Sequence, residues 1–434
     1  MRALVLMLGS LLLIACNSET ASGKIAAPIS RQSSNWLPVW NASPTDVSPA
    51  SPLLPGQVVR QFIAPHADGD RVRLKLSNEL GTSPISLASV TLGSQDVGAA
   101  LQEGSVRELT FGGKAAVTIP AGASIVSDAL AFPVRAFDKI AVSLAPASPI
   151  LQMPHHYTAR EVPYMALANA TTTQIADTGF VPLSPDPLNS WLLISGLEVE
   201  RKSSRQTVVA LGDSITDGFI GNALPLAGSR EGVGLDARYP DFLARRMLAA
   251  GLTQFSVVNA GISGNSVGKD GILPMFGPSL LKRLQRDVLD LPNVRTVILL
   301  EGINDLGIAP VPDATGLIEN LNTVVLALKA QGIRVLHGTL MPARGTRAAM
   351  LAMPEGPIEL GAQHGTAEVE AARQQVNTWI RTSSPAQAVI DFDACLRDPE
   401  HPAYLRAEYD SGDHLHPSVA GYEAMANCIN LSLL

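Results

Sequence analysis

The chain has 434 residues, 46% of them hydrophobic and only 16% charged, a balance that describes a folded globular protein and excludes a disordered one. Its length exceeds what one core can fill, so two domains are the default. A formal net charge of −7, with no Lys/Arg-rich run and no stripe of aromatic and basic residues, argues against nucleic acid as a partner.

In chain order, the N-terminus "MRALVLMLGSLLLIAC" carries one Arg, an apolar run over residues 3–15, and then Cys16. A membrane-spanning helix takes about 20 apolar residues, so this run reads as the hydrophobic core of a signal peptide. The ending "LIAC" resembles a bacterial lipobox, which implies residues 1–16 as a lipoprotein signal with Cys16 lipidated. The alternative is an ordinary secretory signal cleaved near "ETASG". Asn17 follows in place of the Asp that retains many Gram-negative lipoproteins at the inner membrane, so the expected address is the outer membrane. Residues 17–34 are rich in Ser, Ala, Thr and Pro and read as a flexible tether.

Residues 35–200 read as all-β. "RVRLKLS" alternates charged and apolar residues, with Val72, Leu74 and Leu76 on one face. Similar runs follow in "ISLASVTLG", "RELTFGG", "AAVTIPAG" and "KIAVSLAP", separated by Gly, Pro and Asp turn signals. Short strands without helical patterning predict a sandwich of jelly-roll type. "SWLLISGLEVE" closes this section, and "RKSSR" is the natural hinge.

From residue 206 to 434, strands alternate with helices. The strands are "TVVALGDS", "FSVVNAGIS", "VRTVILLEGIND", "IRVLHGTL" and "AVIDFDA". The helices are "RYPDFLARRMLAAG", "PSLLKRLQRDVLDL", "ATGLIENLNTVVLALKAQG", "EVEAARQQVNTWIRTS" and "SVAGYEAMANCINLSLL". Five β-α units imply a parallel five-stranded sheet with helices on both faces. Ligands of such sheets bind at the carboxyl ends of the strands.

Four polar clusters fall at that edge: "GDSITDG" with Ser214, "NAGISGNS" with Gly264, "EGIND" with Asn304, and "SGDHLHP" with Asp413, His414 and His416. The last packs one carboxylate and two of the chain's eight His into four positions. By itself it reads as a metal site, as a catalytic base with its orienting acid, or as a polar turn before a helix. Beside a Ser at the same edge, an Asp/His pair fits a nucleophilic hydroxyl with its base. A zinc site would need further ligands, and no "HExxH" or Cys/His pairing supplies them.

In this order and at these spacings, "GDSITDG", "NAGISGNS", "GIND" and "GDHLHP" resemble the blocks of the SGNH, or GDSL, hydrolase superfamily. The resemblance extends over roughly Val208 to Leu434. The β-rich first half is similar to the accessory domain of some secreted bacterial members. The resemblance implies a three-layer, flavodoxin-like domain and a carboxylic ester hydrolase that needs no cofactor or metal. It assigns Ser214 as nucleophile, His416 as general base and acid, and Asp413 as the residue orienting His416. The oxyanion hole would be the N–H groups of Ser214 and Gly264 and the side-chain amide of Asn304. His414 is expected to bond the backbone of its turn instead of taking part.

Other polar residues have structural readings. Asp213, Asp217 and Asp305 are expected to bond nearby backbone N–H groups, and His155 and His156 to be structural rather than to line a groove. Trp36, Trp40 and Trp191 are expected in core or interdomain packing rather than as sugar-stacking platforms. With Cys16 lipidated, Cys395 and Cys428 remain as a candidate disulfide, the alternative being two buried thiols. The surface address and the β-rich half point to acyl groups on carbohydrate as substrate. The alternatives are a lipolytic or aryl esterase, such as a lysophospholipase, and a non-catalytic sugar-binding lipoprotein. The expected partners are this ester substrate and, through the lipid anchor, a membrane. Loops 215–238 and 341–366 are expected to set acyl-chain preference.

Overall fold

The computed structural model describes residues 34–47, 52–183, 189–201, 206–222, 228–308, 311–346, 349–351, 358–360 and 363–434. Cys16 and tether residues 17–33 lie outside the described residues.

Period-2 alternation builds the first half. Val72, Leu74 and Leu76 all point inward from the strand Gly69–Asn78 and are fully buried. That strand lies in a five-stranded sheet ordered Trp36–Asn41, Ile194–Glu200, Gly69–Asn78, Ala123–Val126, with Leu130–Val134 also on Gly69–Asn78. The facing seven-stranded sheet runs Phe180–Pro182, Tyr164–Ala166, Val58–Ile63, Ile140–Pro146, Ile85–Ser94, Arg107–Glu108, with Val117–Ile119 also on Ile85–Ser94. Side chains from both sheets share one core, as in a sandwich. The predicted "RELTFGG" strand shrinks to Arg107–Glu108, because Gly112 and Gly113 adopt positive φ and turn the chain between Phe111 and Lys114.

In the second half the five strands are all parallel, in the order Phe255–Gly261, Gln206–Gly212, Val294–Leu300, Arg334–Gly338, Ala388–Ile390. The first strand of this half is paired on both sides, and Val208 to Leu211 are completely buried, which accounts for its unbroken apolar run. Helices Tyr239–Ala249, Ala314–Ala330, Ala367–Thr382 and Val419–Cys428 match the predicted segments. "PSLLKRLQRDVLDL" differs: it is helical over Leu280–Leu284 and then widens into a π turn over Gln285–Leu289, where the Asp290 N–H donates to Gln285 O. Cys395 and Cys428 are joined as a disulfide that ties the short helix Phe392–Leu396 to the last helix.

Two buried histidines of the β half reach into the α/β half. His66 bonds Val257 O through Nδ1 and Asp241 through Nε2, at 2.8 and 3.0 Å. His156 bonds Asp217 at 2.8 Å. Trp40 and Trp191 meet edge to face at 4.9 Å, and the Arg238 guanidinium lies 5.1 Å from the Trp191 ring centre. The Trp36 carbonyl accepts from Asn293 across the same boundary. Trp40 and Trp191 therefore pack where the halves meet, and the Trp36 ring lies 4.6 Å from the Arg73 guanidinium within the β half. Among the described residues no helix is long and apolar enough to cross a membrane.

Candidate active site

Ser214 stands two residues past the end of the strand Gln206–Gly212 and begins a single helical turn, Ser214–Asp217. Gly212 permits this sharp exit: a Cβ there would stand 2.2 Å from both Leu300 O and Thr216 Oγ1. Asp213 caps the turn by accepting the Ile215 N–H at 3.0 Å.

The C-terminal loop brings the rest. Asp413 accepts the N–H groups of Leu415 and His416 at 3.0 and 2.8 Å, folding the loop so that its Oδ2 lies 2.6 Å from His416 Nδ1. His416 Nε2 is 2.8 Å from Ser214 Oγ. Burial raises the Asp413 carboxyl, but the His416 charge, its ring bond and the two backbone N–H groups outweigh this and bring the pKa down to about 2. The carboxylate can only accept from Nδ1–H, so the neutral ring presents the Nε2 lone pair to the Ser214 hydroxyl. The Phe219 ring leans on the imidazole, with centroids 4.6 Å apart.

His414 departs from its expected backbone bond. Its ring bonds the Asp410 carboxylate at 2.6 Å, and the same carboxylate takes the His414 N–H, holding this residue at a φ of 65°. Two histidines two positions apart are thus turned to different carboxylates, because the positive φ at His414 reverses the chain between them. Among the described residues no group of three or more His, Cys, Asp or Glu is placed to hold a metal ion.

The Gly264 loop packs against the nucleophile turn, with the Ile262 N–H donating to Gly212 O at 3.0 Å. Gly264 has φ +77°, and a Cβ would lie 2.1 Å from the Phe276 ring, so both conformation and space require glycine. Asn304 donates one amide hydrogen to Asn265 O at 2.9 Å, and its Oδ1 is 3.2 Å from His364 Nε2. This fixes the amide beside Gly264 and leaves its second hydrogen for a ligand. The N–H groups of Ser214 and Gly264 donate to no group among the described residues. Asp305 accepts from the N–H of Val267, and Asp217 from the N–H of Ser263, the structural roles expected for both.

Beneath the site lie charges with no sequence signature. Arg283, fully buried, donates to Gly212 O, Ala260 O and Asn265 Oδ1, pinning both strand ends and the Gly264 loop. His364 stands in a loop that carries no motif at all. Beside Arg283 are Glu301, whose carboxyl burial and the neighbouring Asp213 push well above its ordinary value, and Asp213 itself, raised by burial to about 7. Burial likewise brings Asp305 up to about 6.

A carboxyl with a raised folded pKa stabilises the fold below its unfolded pKa and loses that contribution as pH rises through the folded value. For Asp213 the window runs from 3.8 to about 7. A shift of that size corresponds to at most about 4 kcal/mol. Asp213→Asn keeps the acceptor for Ile215 and is expected to flatten the decline of Tm between about pH 4 and pH 7. Identical slopes in melting curves of the two proteins would remove Asp213 from this role.

The doubly wound fold places Ser214, Gly264, Asn304 and the last loop at the carboxyl edge of one parallel sheet. Residues 210–424 match the model of the GDSL-like Lipase/Acylhydrolase family, and this part of the chain belongs to that family. The protein is accordingly a carboxylic ester hydrolase. Among solved structures it is similar to a GDSL-like lipase from Bacteroides thetaiotaomicron VPI-5482, at 17% identity over 53% of this chain and 88% of that one, with a TM-score of 0.34. It is similar to the acetyl xylan esterase AlAXEase, at 20% identity over 51% and 96% of the two chains, TM-score 0.34. The M. smegmatis aryl esterase shows 16% identity over 51% and 94%, TM-score 0.37. No curated protein matches the chain.

Proposed function

We propose that the protein is a serine esterase acting through Ser214, His416 and Asp413. The observation that carries this reading is the continuous relay from Asp413 Oδ2 through both His416 nitrogens to Ser214 Oγ, with links of 2.6 and 2.8 Å. His416 takes the hydroxyl proton as Oγ attacks the ester carbonyl. The oxyanion of the tetrahedral intermediate is met by the N–H groups of Ser214 and Gly264 and by the free amide hydrogen of Asn304. His416 then protonates the leaving alkoxide, and water, activated the same way, hydrolyses the acyl-enzyme. Asp413 stays ionised and holds the imidazolium in place.

The substrate reading is an acyl group on carbohydrate, supported by the lipobox-like "LIAC" and the β-rich half. Lipidation of Cys16 would place the enzyme on the outer membrane, and a wild-type protein that fractionates as soluble and periplasmic would overturn that address. The substrate test compares acetate release from acetylated polysaccharide with fatty-acid release from phospholipid, using the same preparation. The expected result is faster release of acetate. Preferential release of fatty acid would make the enzyme lipolytic instead.

A further inference from the structure

We infer that the β half aims the oxyanion hole, with His156, through Asp217, and Thr158, through Ser263, as positioning residues that hold the Ser263–Gly264 turn against the nucleophile turn. The inference rests on the proposed roles of Ser214 and Gly264. Asp217 closes the helical turn that Ser214 opens, and its Oδ2 accepts both the N–H and the hydroxyl of Ser263, at 2.9 and 2.7 Å. One carboxylate thus links the nucleophile turn to the residue immediately before Gly264. The β half holds this linkage at both ends, at the carboxylate through His156 and at Ser263 through Thr158. His156 Nε2 lies 2.8 Å from Asp217 Oδ1, while His156 Nδ1 is anchored on Ser43 O, also at 2.8 Å. The Thr158 hydroxyl donates to Ser263 Oγ at 2.8 Å.

All four side chains are buried, His156 at 3%, Thr158 at 0%, Asp217 at 2% and Ser263 at 7% exposure. Water therefore cannot replace a lost partner without rearrangement. A carbonyl only accepts, so Nδ1 carries a proton and the ring orientation is set by Ser43, a residue of the β half. The Trp191 ring, 5.6 Å away, backs the imidazole from the same half. Without His156, Asp217 Oδ1 would be buried and unpaired, and the carboxylate would be free to turn and carry Ser263 with it. Gly264 follows Ser263 directly, so its N–H would lose its aim at the developing oxyanion. That charge exists only in the transition state, so the loss falls on kcat and not on KM.

The test is steady-state kinetics on the full chain with p-nitrophenyl acetate. His156→Ala is expected to lower kcat on the order of 10²-fold, with KM within about threefold, the penalty of a small misplacement at a reacting centre. Thr158→Val removes one neutral hydrogen bond and is expected to cost roughly 5- to 10-fold in kcat. Thr158→Ser keeps the hydroxyl and restores it. A boronic acid that forms a tetrahedral adduct on Ser214 should lose affinity in the same order, which a purely structural role would not produce. The Thr158 pair keeps the test decisive should His156→Ala fail to fold. Wild-type kcat in folded Thr158→Val and His156→Ala, or a change confined to KM or to Tm, overturns the inference while Ser214→Ala remains inactive. Turnover surviving in Ser214→Ala would instead overturn the nucleophile on which it rests.

Discussion

Ser214→Ala is expected to reduce ester hydrolysis by on the order of 10⁶ in kcat, to near the background rate, while Asn304→Ala should lose about 10²–10³. The difference follows from what each atom does. Removing Oγ removes the attacking atom, and no neighbour replaces it: Thr216, the next hydroxyl in this turn, is directed to Tyr239. In the proposed oxyanion hole Asn304 would supply one donor of three, so two N–H groups would still face the oxyanion when its amide is gone. Its loss also frees Asn265 O and His364 Nε2, the two groups that orient it. Part of the cost in Asn304→Ala is therefore a loosened loop next to Gly264. The check is kcat and KM on folded variants, with folding verified by melting temperature. Near-normal turnover in Asn304→Ala would take that residue out of the site, and substantial turnover in Ser214→Ala would exclude it as the nucleophile.

The parts of this molecule that the sequence makes legible are those governed by short-range rules. Period-2 alternation identifies Val72, Leu74 and Leu76 as inward-facing, because a strand has only two faces. The unbroken apolar run before Ser214 marks a strand covered on both sides, and strand-end chemistry in a parallel sheet then places Ser214, Gly264, Asn304 and the last loop at one edge. The structure does bring these residues together. What stays hidden are partners chosen across long separations. Arg283 carries no signal in "PSLLKRLQRDVLDL", yet it is completely buried under two strand ends. His156 reads as a structural histidine, but nothing in "MPHHYTAR" tells that its ring meets a carboxylate 61 positions later. His364 carries no local signal, since only the folded loop puts it against Asn304. The π turn over Gln285–Leu289 escapes a helical pattern that both geometries satisfy.

The two histidines of "SGDHLHP" are expected to separate sharply: His416→Ala should abolish hydrolysis, on the order of 10⁶ in kcat, and His414→Ala should retain most of it. Only His416 touches Ser214, and only it has its second nitrogen on Asp413. The ring of His414 is held by Asp410, on the other side of a chain reversal, and its carbonyl accepts from Thr346. His414→Ala thus removes a loop contact, and losses should appear in Tm before they appear in kcat. Asp413→Asn should fall between these, at about 10⁴ below wild type, because an amide in that place can present N–H to Nδ1 and favour the wrong tautomer. That variant also loses charge where two backbone N–H groups converge, so some loosening of the loop accompanies the kinetic defect. Added chelator should leave all four proteins unchanged. Equal inactivation of folded His414→Ala and His416→Ala, or activity abolished by chelation and restored by zinc, would make this cluster a metal site and end the triad assignment.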